Sequence, residues 1–150
     1  MSEIFVDGDA CPVKGEVLKV AARHGVRVQL VSNGWLRGLD SPLVHQVVVA
    51  QGADAADDWI AEHIGPGDVA ITADILLAAR CVENGARVLG PAGKPFTADN
   101  IGMAVAIRDL KSHLRETGED RGFNPGFTPK DRSRFLSALD QTLRDLQRGR

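Results

Sequence analysis

Apolar and polar positions follow two alternating periods along roughly the first hundred residues. Short apolar runs of strand length recur at Ile4-Phe5-Val6, Val26 to Val31, Val47 to Ala50, Asp68 to Thr72 and Ala86 to Leu89. Between them the apolar residues return every three or four positions, the helical period. Val13, Val17, Val20, Ala21 and His24 mark a helix that Gly25 stops, Asp54 to Ile60 opens a second, and Leu76, Leu77, Ala78 and Cys81 mark a third that Gly85 ends. Strands alternating with helices predict an α/β fold in three layers, α/β/α, around a parallel five-stranded sheet with right-handed crossovers. The first and fourth strands are expected side by side at its centre.

The pattern changes after Pro91. Gly90-Pro91-Ala92-Gly93-Lys94-Pro95 reads as a stiff loop, Thr97 as the cap of a long helix through about Leu114, and residues 117–128 as a Gly-rich linker holding Asn124-Pro125-Gly126. Thr128-Pro129-Lys130-Asp131 combines an N-cap, a proline at the first helical position and an acid three residues after the cap. Phe135, Leu139, Leu143 and Leu146 then form one stripe. The expectation is a single domain over residues 1–150, with an α/β core over 1–96 and a helical extension over 97–150. That extension would dock on the sheet or on a second copy, giving a homodimer through the C-terminal helices.

Acidic residues fall where these strands end. Asp7 and Asp9 close the first apolar run, Asp54, Asp57 and Asp58 open the second helix, and Asp74 sits just past the fourth strand. In a parallel sheet all three places lie at the carboxyl edge, where ligand sites of open α/β sheets are found. Each has an ordinary alternative. A lone Asp7 or Asp9 would cap the following helix, and Asp54 with Asp57 would make a weak capping box. Capping does not account for Asp54 and Asp58, four apart on one helix face and repelling each other. Gathered carboxylates call for a cation, and hard oxygen donors select Mg²⁺ or Mn²⁺ over zinc.

Two neighbouring segments add positive and aromatic groups. Lys14 stands in the first turn of a helix, where the dipole disfavours a cation, and so is a candidate for an anion unless it is simply solvated. The loop Ser32-Asn33-Gly34-Trp35-Leu36-Arg37 leaves the carboxyl end of the second strand. Trp35 and Arg37 there offer a stacking face and a phosphate contact, although the usual fate of a loop tryptophan is to tuck into its own domain.

Composition narrows the class. The apolar share of 43% and charged share of 25% are those of a soluble globular protein. No run is long enough to span a bilayer and no signal-peptide pattern opens the chain, so a cytoplasmic protein with no membrane contact is expected. Cys11 and Cys81 form no metal-ligand spacing and default to buried thiols. The net charge of −2 disfavours bulk coating of nucleic acid, but residues 1–107 carry −5 and residues 108–150 carry +3.

The stretches Asp7-Gly8-Asp9-Ala10-Cys11-Pro12-Val13-Lys14, Gly52 to Ile60, Ile71-Thr72-Ala73-Asp74 with Ala78-Ala79-Arg80-Cys81, and Lys130 to Phe135 resemble successive motifs of the YaiI/YqxD family of bacterial proteins, over essentially the whole chain. Gly8 stands where that family more often has Ala and Leu76 where it more often has Pro, and neither position is an acid. The family is similar to PIN-like nuclease domains, whose acids bind Mg²⁺ or Mn²⁺ and cut RNA. The resemblance therefore implies a PIN-like sheet and a metal-dependent ribonuclease acting on single-stranded RNA, its physiological role open. Asp7, Asp58 and Asp74 would be catalytic, and the metal set would come from Asp7, Asp9, Asp54, Asp57, Asp58 and Asp74. Lys14, Ser32, Asn33 and Arg80 are candidates for substrate binding.

Two rival readings remain. Val6-Asp7-Gly8-Asp9 and Leu30-Val31-Ser32-Asn33 also resemble motifs of haloacid-dehalogenase-type phosphatases, with Asp7 as nucleophile and Asp9 as acid/base. Their later acidic motif follows a strand, however, whereas Gly67-Asp68 precedes one. A non-catalytic RNA-binding protein is the other.

Overall fold

The computed structural model describes residues 2–8, 11–38, 41–50, 54–116 and 127–149, and only the backbone of 111–116. In chain order the elements are β1 (Glu3–Asp7), α1 (Lys14–His24), β2 (Arg27–Ser32), β3 (Val44–Val48), α2 (Ala55–His63), β4 (Val69–Ile71), α3 (Ile75–Glu83), β5 (Arg87–Leu89), β6 (Pro95–Phe96), α4 (Ile101–Glu116) and α5 (Pro129–Gln147). The sheet has six strands in the order β3-β2-β1-β4-β5-β6, and all neighbours are parallel except β5 with β6.

The sixth strand corrects the expected five. Two residues are too few for a periodic signal, and a proline, which donates no ladder hydrogen bond, fits only at a sheet edge. The stretch 90–94 is the turn of this hairpin, closed by the Gly90 N–H donating to the Lys94 carbonyl at 2.9 Å. Gly93 has φ 88°, and a Cβ there would come within 2.8 Å of the Arg134 carbonyl oxygen, so the turn rests directly on the backbone of α5.

β3 also departs from expectation. It begins at Val44 rather than Val47, and it is a half-exposed edge strand, with Val48 52% exposed. A valine run signals a fully buried strand only where both faces and both neighbours are present, and β3 pairs with β2 alone.

Alternation along the strands divides the core in two. Ile4, Val6, Val28, Leu30 and Ile71 point to the side covered by α1 and α5, while Phe5, Val31, Ala70 and Val88 point to the side covered by α2 and α3. Phe135, Leu139 and Leu143 of α5 are completely buried in the first cluster, so the C-terminal stripe docks on the sheet. Thr128 and Asp131 form the full capping box that starts this helix. A polar seam joins α1 to α5, with His24 Nε2 2.8 Å and Arg23 Nη1 3.3 Å from Asp140 Oδ1.

α1 connects β1 to β2 on one face, and α3 connects β4 to β5 on the other. The direction of winding therefore reverses between β1 and β4, the central pair. A crevice opens at the carboxyl end of such a reversal.

Candidate functional site

Asp7 ends β1 at this reversal, and by alternation it lies on the α2–α3 side, like Phe5. Across from it, just after β4, the chain makes a tight turn built on Thr72. This hydroxyl is buried, accepts the Asp74 N–H at 3.0 Å and makes a long, 3.5 Å contact to Asp7 Oδ2. Asp74 then caps α3, its Oδ1 accepting the N–H groups of Leu76 at 2.9 Å and Leu77 at 3.3 Å. Thr72 thus ties the two strand tips together. Sequence reasoning did not count it among the site residues, although its place in Thr72-Ala73-Asp74 was the available signal.

Asp57 completes the group from α2. Its carboxyl is driven up from 3.8 to about 7, first by partial burial and then by the negative charges of Asp74 and Asp7. A hydrogen bond shared with Asp74 and the charge of Asp54 push the same way. Asp57 therefore keeps its proton towards neutral pH, beside Asp74 at the carboxyl edge of the sheet. Asp54 stands at the N-cap position of α2 but makes no side-chain capping bond, so the expected capping box with Asp57 does not form.

Asp58 lies elsewhere. Its Oδ1 accepts from Arg80 Nη1 at 2.8 Å, both side chains being about half exposed, in a pair that joins α2 to α3. Arg80 is thereby committed to a carboxylate. Lys14 folds back so that its Nζ donates to the Cys11 carbonyl at 3.0 Å. Ser32 donates to the Gly34 carbonyl at 2.7 Å and Asn33 to the Ala50 carbonyl at 3.1 Å, so both brace the loop after β2. Asp9 lies outside the described residues. Trp35 does not tuck in: it is 65% exposed.

The donors at the crevice are carboxylate oxygens, the chemistry that suits a hard divalent cation. Among the described residues no three His, Cys, Asp or Glu side chains form a ready-made metal cage. Mg²⁺ seldom needs one, since it commonly takes one or two protein carboxylates together with water and substrate phosphate. Cys11 and Cys81 are both buried free thiols, and burial pushes Cys81 up to about 12.

The model of the family described as "Uncharacterized BCR, YaiI/YqxD family" matches residues 5–145. The chain belongs to the YaiI/YqxD family. A UPF0178 protein of Mesorhizobium japonicum is 64% identical over 141 residues, covering 94% of this chain and 91% of the relative. Another, from Parvibaculum lavamentivorans, is 57% identical over 148 residues, covering 99% of this chain and 97% of its own. No solved structure matches the chain. The family match spans β1 through α5, so it includes Asp7, Asp57, Thr72 and Asp74. No helix among the described residues is long and apolar enough to cross a membrane.

Proposed function

We propose that this YaiI/YqxD family member is a PIN-like, Mg²⁺- or Mn²⁺-dependent ribonuclease that hydrolyses phosphodiesters of single-stranded RNA. The observation that carries the reading is the gathering of Asp7 and Asp74, tied through the Thr72 hydroxyl, with Asp57 beside them where the sheet reverses its winding. A protein pays for such crowding of like charge, and a divalent cation relieves it better than a proton does. Bound there, the ion would neutralise phosphate charge and make a water more acidic.

The chain's own groups take distinct parts. Asp7 and Asp74 would hold the cation, and Thr72 ties their two strand tips together. Asp57, whose carboxyl titrates near neutrality, accepts a proton from the attacking water as its oxygen bonds to phosphorus and the ester P–O bond breaks, the departing oxygen taking a proton from solvent. The expected role of Asp58 passes to Asp57 in this reading, because Asp58 is held by Arg80.

The phosphatase alternative finds less support. Asp68, the acid its later motif would need, caps the N–H groups of Glu3 at 3.1 Å and Gly65 at 3.0 Å at the opposite, amino edge of the sheet.

The test incubates purified protein with Mn²⁺ and either labelled single-stranded RNA or a panel of phosphate monoesters, with the Asp7→Asn/Asp74→Asn double variant controlling for contaminating nuclease. Cleavage of RNA that the double variant lacks is expected. Monoester hydrolysis lost in that variant, with the RNA intact, would transfer the assignment to the phosphatase. RNA retention without turnover by either protein would leave a binding protein.

A further inference from the structure

The two tryptophans have opposite fates. Trp59 on α2 stacks on His63, with ring centroids 3.9 Å apart and planes 15° from parallel, and leans on Phe5 at 6.0 Å. Trp35 is left 65% exposed. The Gln46 side chain grips the next residue at both ends, its Oε1 accepting the Leu36 N–H at 2.9 Å and its Nε2 donating to the Leu36 carbonyl at 2.8 Å. Leu36 packs against the α1–α5 core cluster, and the Ser32 and Asn33 side chains brace the residues just before the indole. An indole is thus held out to solvent on a pinned backbone, with the exposed Arg37 two residues away.

The position matters as much as the exposure. β2 runs parallel to β1, with Val31 in register with Asp7, so the loop leaves the sheet at the edge that carries Asp7, Asp57 and Asp74. That edge is acidic and the chain carries −2 overall, so phosphate attraction cannot supply much affinity for RNA. Stacking on an aromatic face can, because it owes little to charge and tolerates any base.

We infer that Trp35 is a base-stacking platform that holds a nucleotide flanking the reacting phosphate of a single-stranded RNA, with Arg37 contacting the backbone. The inference rests on the ribonuclease reading for its choice of ligand, but it concerns binding, which is measured without cleavage. Asp7 lies on the α2–α3 side of the sheet whereas Leu36 anchors the loop on the other, so the stacked base is a neighbour of the scissile linkage rather than adjacent to it.

The experiment titrates the full chain with a labelled single-stranded RNA of about ten nucleotides in EDTA, a length within the span one binding face covers. Trp35→Ala is expected to weaken binding by about 5-fold to 100-fold, and Trp35→Phe by much less. In a Trp59→Phe background the remaining indole fluorescence should be quenched as RNA binds. The salt dependence should be shallow, and Arg37→Ala should reduce its logarithmic slope by about 0.7. Wild-type affinity in Trp35→Ala, with an unchanged melting temperature, would overturn the inference, as would the absence of RNA binding by the wild-type chain. Binding that depends on Trp35 without any cleavage in Mn²⁺ would uphold the platform and remove the nuclease. Cleavage whose KM is indifferent to Trp35→Ala would do the reverse.

Discussion

Replacing Asp57 with Asn should make the protein more stable at alkaline pH and leave it nearly unchanged in acid. The folded chain raises this carboxyl from 3.8 to about 7, so it binds a proton more tightly than the unfolded chain does. A group of that kind subtracts stability as pH climbs from about 4 through about 7, because the proton retained by the fold is progressively lost. Taken whole, a displacement of that size corresponds to about 4 kcal/mol at 1.4 kcal/mol per pH unit. Asp57 is only partly buried, so solvent screening reduces this to about 1–2 kcal/mol. At the size of this chain that equals about 2–8 °C in melting temperature. Asn carries no charge and its amide can still donate to Asp74, which reproduces the protonated pair. Melting curves between pH 4.5 and 8.5 should therefore show Asp57→Asn above wild type by that amount at pH 8, and the two converging towards pH 4.5. Millimolar Mg²⁺ should narrow the gap at pH 8, because a cation held by Asp7 and Asp74 relieves in wild type the same crowding that the substitution has already removed in the variant. Asp58→Asn, on the exposed side of the helix, should show no such convergence. A gap that is constant across the range, or reversed at pH 8, would refute the raised Asp57 carboxyl and with it the crowding on which the metal reading depends.

Two further substitutions test the scaffold. Leu139→Ala should lower the unfolding free energy by about 2–5 kcal/mol in urea at an unchanged m value, because the side chain is completely buried between α5 and the sheet; a loss under about 1 kcal/mol would mean that α5 docks loosely. Gly93→Ala should cost about 1–3 kcal/mol by thermal melting, from its positive φ and the 2.8 Å approach to Arg134, whereas Gly90→Ala, whose Cβ meets nothing closer than 3.5 Å, should cost less; equal losses would remove the contact with α5 as the cause.

The order of the elements and the edge on which the acids fall could be read from periodicity, because strand ends and helix starts alternate on one side of any parallel sheet. Which acid of α2 faces the crevice could not be read from the repulsion of Asp54 and Asp58. The buried stripe of Ala56 and Ile60 decides it: at about 100° per residue, Asp57 lies some 80° from the stripe's centre and Asp58 on the opposite side. Once Ala56 and Ile60 are taken as the buried pair, that angle is available from the sequence. The pairing of Asp58 with Arg80 is not, since it depends on how α2 and α3 lie against each other. The exposure of Trp35, which decides between its two readings, is not legible for a related reason. Nothing in a loop's composition reveals that a glutamine ten or so positions later will grip its backbone.

The burial of α5 also bears on how the chain acquires its structure during synthesis. Ile4 and Val6 share a cluster with Phe135, Leu139 and Leu143, so one half of the core joins residues more than a hundred positions apart. Such closures are slow relative to local ones, and they cannot begin until the distant partner has been made. As the chain emerges from the ribosome, the α2–α3 side, drawn entirely from residues 5–101, can consolidate first. The other side of the same sheet meanwhile lacks part of its cover. A nascent chain halted near residue 110 would therefore present an apolar, strand-edged surface, which makes that interval the one in which a chaperone, or aggregation, has its opportunity.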